Sequence, residues 1–227
     1  MHRFYLPDFQ QPSLSPDEVH HAMHVLRLKP GTTVNVFDGR GHEAQCRFGE
    51  AGTLTILQRS TSPALPCRIT LAQAIPKKNM DLIVQKATEL GVAGIVPLIS
   101  ERTVKRPDTA PERWREIALE ACKQSGNNWL PEIQAPQNVR EFLGSPGRFD
   151  LKLIASLQPD AMPLKKILSD ASTVLLLIGP EGDLTPADLA AAKSAGCLPL
   201  SLGPLVLRAE TAALYALSIL HHELQTR

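Results

Sequence analysis

From residue 68 the chain falls into short apolar runs, "RITLAQAI", "GIVPLI", "DLKLIAS", "TVLLLIG" and "LPLSLG", interleaved with amphipathic stretches. Strands that read as unbroken apolar runs are buried on both faces, and parallel neighbours need long crossovers, usually helical, between them. The rhythm therefore predicts a mostly parallel sheet covered by helices on both sides. The stretches between the runs agree. "KNMDLIVQKATEL" sets Met80, Ile83, Val84, Ala87 and Leu90 on one helical face and stops at Gly91. Pro111 opens a helix through "RWREIALEACKQS". Thr185 caps the next, with Pro186 at its first position, Asp188 three residues after the cap and Gly196 as its stop. "ETAALYALSILHHEL" is the last.

Residues 1–67 have a different rhythm. "TTVNVF", the turn "DGRG", "HEAQCRF" and "GTLTIL" are short, partly alternating segments divided by glycine turns, as in a small β domain. One helix interrupts them, capped by Ser15 in "SPDE" and running through "VHHAMHVL". "TSPALP" at 61–66 marks the boundary, which gives domains of 1–67 and 68–227.

A chain of 227 residues with 43% apolar and 21% charged side chains can build a full core. Its start lacks a basic region followed by an apolar one, and no run of roughly 18 apolar residues occurs, so a cytoplasmic, unanchored protein is expected. Cys46, Cys67, Cys122 and Cys197 lie far apart without zinc-ligand spacing and read as free buried thiols. His20, His21 and His24 share a helix, but no third ligand position follows from the spacing, and no metal is expected. A net charge of +1 says little about partners, yet residues 68–107 hold seven Lys/Arg against three Asp/Glu, a local patch for a polyanion.

The chemistry is expected where the strands end. "TVLLLIG" and "LPLSLG" run into "GPEGDLTP" (179–186) and "GPLVLRAET" (203–211), and ligands in open α/β sheets gather at the carboxyl ends of strands. Glycine there lets main-chain groups approach a ligand, and proline fixes the loop shape. The plain alternative is a pair of tight strand-to-helix turns. Glu181 and Asp183 make the first loop a poor phosphate cradle. Neither G-x-G-x-x-G, nor G-x-x-x-x-G-K-[ST], nor G-x-S-x-G occurs, which disfavours a dehydrogenase, an NTPase and the simplest hydrolase. Arg208 and Glu210 stand out in "LGPLVLRAETAAL", because unpartnered charges in an apolar segment are costly. A surface ion pair at the helix entry is worth under about 1 kcal/mol, and residues two apart on a helix do not face each other.

"LIVQKATELGVAGIVPL", "ALEACKQSGNNWLPEI", "LLLIGPEGDLTPADL" and "LSLGPLVLRAETAAL", in this order, resemble the RsmE family of SPOUT methyltransferases, and "HHAMHVLRLKPGTTVNVFDGRG" is similar to that family's RNA-binding β domain. The resemblance implies a PUA-like β-barrel, then an α/β domain whose end is threaded into a trefoil knot. It implies S-adenosylmethionine as cofactor, a homodimer, and methylation of N3 of the uridine at family position 1498 in 16S rRNA of the small ribosomal subunit. By position, the cofactor would be lined by Ala155, Ser156, Gly179, Glu181, Gly182, Ser201, Leu202, Gly203 and the stretch from Leu207 through Thr211 to Ala212. Arg208 would stabilise negative charge developing on the uracil oxygens, with Glu210 orienting it or sharing in proton removal. Arg27, Lys29, Arg40, Lys77, Lys78, Arg102, Lys105, Arg106 and Gln124 are the RNA-contact candidates. The chain departs from the family pattern at Lys123, Asn127 and Trp129, at Asp183 after "GPEG", and at Leu205. Trp129 either stacks on an extruded base or packs against the core. The runner-up reading is a non-catalytic RNA-binding or assembly factor that keeps the fold.

Overall fold

The computed structural model describes residues 1–103, 107 and 109–225. The chain forms two compact units, Met1–Ala64 with Leu119–Leu130, and Leu65–Ala118 with Pro131–Arg227.

In the first unit, β1 (Arg3–Tyr5), α1 (Pro16–His20), β2 (Thr33–Phe37), β3 (His42–Phe48) and β4 (Leu54–Thr61) follow one another. The strands lie in the order β1-β2-β3-β4, with β1 parallel to β2 and the other pairs antiparallel. Alternation decides what faces inward: Val34 and Val36, then Ala44, Cys46 and Phe48, meet Phe4, Leu14 and Leu54 in one apolar core. The Ser15 hydroxyl accepts the Glu18 N–H at 3.3 Å and starts α1. Beyond His20 the expected regular helix widens into a π turn, His21–Val25, closed by the Leu26 N–H on the His21 carbonyl at 2.9 Å. Arg27 follows in the left-handed region at φ 54°, so that the Leu28 N–H reaches the Ala22 carbonyl.

Leu119–Leu130 belongs to this unit through a set of polar links. Lys123 Nζ sits 2.5 Å from Glu18 and 2.7 Å from Glu120. Burial alone would lower the Lys123 pKa, but hydrogen bonds to the two carboxylates carry it above its usual value. Arg3 Nη2 donates to Asn128 Oδ1 at 2.7 Å, and Asn128 Nδ2 donates to Ser62 Oγ at 2.7 Å. The Trp129 ring lies on Gly41, where φ is 93° and a Cβ would stand 2.4 Å from ring atom Cζ2. Trp129 Nε1 donates to the Ser62 and Pro63 carbonyls, so this side chain is packed.

The second unit contains β5 (Arg68–Ala74), α2 (Met80–Glu89), β6 (Gly94–Ile99), the first turns of α3 (Glu112–Ser125), β7 (Glu132–Ile133), β8 (Gln137–Asn138) and α4 (Val139–Gly144). It continues with β9 (Leu151–Ala155), β10 (Met162–Pro163), α5 (Leu164–Ile167), β11 (Thr173–Ile178), α6 (Pro186–Ser194), β12 (Leu198–Ser201) and α7 (Ala209–Gln225). Among the described residues its eight strands are all parallel, in the order β10-β12-β9-β11-β5-β6-β7 with β8 also on β6. Ala72, Ala74, Leu175 and Leu177 pack with Val139, Phe142 and Leu143 of α4 and Ala192 of α6. α2 and α7 pack on each other, and α7 also touches β11. β12 lies beyond β9, yet the helix after it returns to β11 at the middle of the sheet, the path that a C-terminal knot requires.

α6 begins with a full capping box: Thr185 Oγ1 accepts the Asp188 N–H and the Asp188 carboxylate accepts the Thr185 N–H. Asp188 is buried and also takes Arg140 Nε at 2.8 Å. Burial alone would raise its carboxyl, but the bonds from Arg140 and Thr185 outweigh it and hold the pKa below the usual aspartate value.

Candidate active site

Parallel register aligns the strand ends. Ala155 of β9 stands opposite Leu200 of β12, and Ile178 of β11 opposite Gln73 of β5, so four loops leave the sheet at one edge. Three of them, with the first turn of α7, enclose a cleft of about 600 Å³ including its open mouth. Ala155 and Ser156 form its β9 side, Gly179 and Glu181 its β11 side, and Leu202, Gly203, Leu207 and Ala212 its β12 and α7 side. Gly182, Ser201 and Thr211, expected on the same surface, do not line it. Leu157, Ile178, Pro180, Asp183, Leu205 and Val206 do. The signal for these was their adjacency to the expected positions, but Ile178 reads as strand core and Leu205 as a mere departure.

The "GPEG" loop is built by its own residues. The Asp183 N–H closes a turn on the Pro180 carbonyl at 2.9 Å, and Asp183 adopts φ 63°, a conformation natural to glycine. Aspartate tolerates it by accepting the Leu184 N–H at 2.7 Å on Oδ1, which accounts for a residue other than glycine here. Arg102 Nη1 donates to the Gly182 carbonyl and braces the loop from outside.

Two carboxylates, Glu181 of the cleft lining and Glu210 in the first turn of α7, reach across to the β5–α2 loop. Glu181 accepts the Lys77 main-chain N–H through its two oxygens, at 2.8 and 3.1 Å. Glu210 Oε1 accepts from Asn79 Nδ2 at 3.0 Å. Asn79 occupies the N-cap of α2 at φ 69°, and its side chain makes no capping bond. Arg208 lies just before α7, exposed, and its carbonyl accepts the Ala212 N–H at 2.8 Å. Among the described residues its guanidinium has no partner. The two charges thus divide: Glu210 is fixed to Asn79 rather than to Arg208, and Arg208 is free to meet a ligand. Leu205 and Val206, exposed by 72% and 80%, leave one lip of the cleft apolar and uncovered.

The RNA-contact candidates fall in both units. Arg27, Lys29, Arg40 and Gln124 are exposed on the first, while Lys77 and Lys78 are exposed on the second beside Arg102 on its Gly182 contact. Lys105 and Arg106 lie outside the described residues. The four cysteines are free and buried, and burial pushes Cys122 up to about 12 and Cys197 to about 11, which keeps both thiols protonated and inert. The His20 and His24 rings lie 4.8 Å apart, and among the described residues no group of three His, Cys, Asp or Glu is placed to hold a metal ion. No helix among them is long and apolar enough to cross a membrane.

Comparison with known proteins carries the same pattern further. Residues 63–221 match the RNA methyltransferase domain family and residues 14–56 match the RNA methyltransferase PUA domain family. Ribosomal RNA small subunit methyltransferase E of Bacillus subtilis is 31% identical over 93% of this chain and 90% of its own length. The structure of Neisseria gonorrhoeae ribosomal RNA small subunit methyltransferase E bound to S-adenosyl methionine is 34% identical, with a TM-score of 0.89 over 99% of this chain and 98% of that one. A Legionella pneumophila methyltransferase structure in complex with bound SAM is 35% identical at a TM-score of 0.89, over 97% of each chain. With its all-parallel strand order, its strand-end cleft and these relatives taken together, the chain belongs to the ribosomal RNA small subunit methyltransferase E family.

Proposed function

We propose that the protein transfers a methyl group from S-adenosylmethionine to N3 of one uridine in 16S rRNA of the small ribosomal subunit, working in the cytoplasm as a homodimer. Residues 1–67 serve RNA binding and residues 68–227 carry the reaction. The observation behind this reading is the cleft at the strand ends, with Arg208, which has no partner among the described residues, between its lining residues Leu207 and Ala209, and with Glu210 fixed to Asn79 one residue further on.

The cleft fits the cofactor by its chemistry. Ile178, Leu202, Leu207, Ala209 and Ala212 supply apolar wall for an adenine and a thioether, and Gly179 and Gly203 expose main chain. Gly203 sits at φ 107° with nothing within 4 Å of where a Cβ would be, so the space beside its backbone is open to a ligand. When bound, S-adenosylmethionine supplies an electrophilic methyl on a sulfonium. This chain's residues do the rest. Holding two reactants aligned contributes roughly 7–11 kcal/mol to such a transfer. Arg208 is free to stabilise the negative charge that grows on the uracil oxygens as the N3 proton leaves. Glu210, bonded to Asn79, holds the α7 entry against the β5–α2 loop. Exposed Leu205 and Val206 at the lip, with half-exposed Tyr215 on α7, support a second copy covering this side.

The test is methyl transfer from radiolabelled S-adenosylmethionine to purified small subunits and to deproteinised 16S rRNA. Arg208→Ala should lose at least about tenfold in kcat, about 1.4 kcal/mol, with RNA and cofactor affinity near wild type. Full turnover in that variant would remove Arg208 from the reaction.

A further inference from the structure

A second cleft opens beside the β5–α2 loop, and two of the RNA-contact candidates, Lys77 and Lys78, line it. It encloses about 1360 Å³ including its mouth, more than twice the space of the first. Among the described residues, Lys77, Lys78 and Arg113 line it with one carboxylate, Asp81. Among the described residues neither lysine side chain has a partner. Asp81 is engaged: Arg113 Nη2 stands 2.6 Å from its Oδ2, and Trp114 Nε1 donates to its Oδ1 at 3.1 Å. That arrangement holds the Arg113 guanidinium, 71% exposed, at the cleft through a partly exposed ion pair worth under about 1 kcal/mol. Pro76, Leu82 and Pro111 give the cleft an apolar side.

The two clefts are linked through the β5–α2 loop. Ile75 to Asn79 lines the second, and the same loop is tied to the first by Glu181 on the Lys77 N–H and by Glu210 on Asn79. A ligand there lies one loop away from the cofactor cleft. We propose that this cleft seats the RNA nucleotide next to the target uridine, with Lys78, Lys77 and Arg113 on its phosphates and Pro76, Leu82 and Pro111 against its sugar and base. The inference rests on the methyltransferase reading and adds to it a place and a register for the strand. Two lysines without a partner among the described residues, with Arg113 held by Asp81 beside an apolar surface, suit a single strand, whose charge and flat bases both need partners. Phosphate alone would leave the apolar side unused.

The experiment compares wild type, Lys78→Ala with Arg113→Ala, and the charge-keeping Lys78→Arg, using a small-subunit rRNA fragment containing the target uridine. RNA affinity is measured across a salt series, S-adenosylmethionine affinity by calorimetry, and folding by thermal midpoint. The double alanine variant should bind RNA on the order of tenfold more weakly at low salt. Its slope of log affinity against log salt should fall by about 1.4, since each phosphate contact on a single strand accounts for about 0.7. Cofactor affinity should stay within about twofold, and Lys78→Arg should behave as wild type. Unchanged RNA affinity and slope would overturn the cleft as an RNA seat, and so would an equal loss of cofactor affinity. Wild-type protein that methylates no RNA would instead remove the reading on which the inference rests.

Discussion

Replacing Asn79 separates the work of Glu210 from that of its surroundings. Asn79 holds φ 69°, so Asn79→Ala would add backbone strain, whereas Asn79→Gly keeps the conformation and deletes only the amide that donates to Glu210 at 3.0 Å. A hydrogen bond to a charged group contributes about 1.5–3 kcal/mol when enclosed. Asn79 is exposed and Glu210 half-buried, which places this bond at or below the foot of that range, about 1–1.5 kcal/mol. Lost from the transition state alone, that energy is about a five- to twelvefold fall in kcat. Asn79→Asp sets a second carboxylate where the amide was. Like charges at such a distance repel, so this variant should lose at least as much kcat as Asn79→Gly. The assay is kcat and KM for methyl transfer between pH 5 and 10, with the thermal midpoint as control. An Asn79→Gly enzyme with wild-type kcat, KM and pH profile would refute the positioning argument.

Other changes test the frame around the site. Gly41→Ala drives a Cβ to 2.4 Å from the Trp129 ring at φ 93° and should destabilise the first unit by at least about 2 kcal/mol, read as a lower denaturation midpoint. Arg27→Gly relieves a left-handed arginine and should leave stability equal or raise it by up to about 1 kcal/mol, while weakening RNA binding if Arg27 meets a phosphate. The Asp188 carboxyl is held below its ordinary pKa, so its contribution to stability is whole above that ordinary value. It is lost as pH falls through that value towards the lower native one. Asp188→Asn should therefore flatten the acid side of the stability curve, and unchanged acid sensitivity would count against the Arg140–Asp188–Thr185 cluster as its source.

Much of the second unit was legible because apolar runs, caps and glycine stops state one geometry each. "TVLLLI" is β11, and Thr185, Pro186 and Asp188 start α6 as their types predict. Short elements escaped: β1, β7, β8, β10, α4 and α5 are six residues or fewer, too short for periodicity to register. The grouping of Leu119–Leu130 with the first unit was hidden because it rests on pairs more than sixty residues apart, such as Arg3 with Asn128. At the site, the strand-end loops could be read from glycine and proline alone. The fastening of Glu210 to Asn79 could not, since 131 residues separate them and no local pattern links them. Lys123 and Trp129, departures from the family pattern, turn out to be partners within the first unit, which explains both without any RNA.

The central claim is that this chain methylates a uridine of small-subunit rRNA through the strand-end cleft and Arg208. Its most direct test is to delete the gene, map N3-methylated uridines in 16S rRNA, and restore the strain with wild type or Arg208→Ala. One methylated uridine should vanish on deletion, return with wild type and remain absent or sparse with the variant. An unchanged methylation map after deletion would contradict the account.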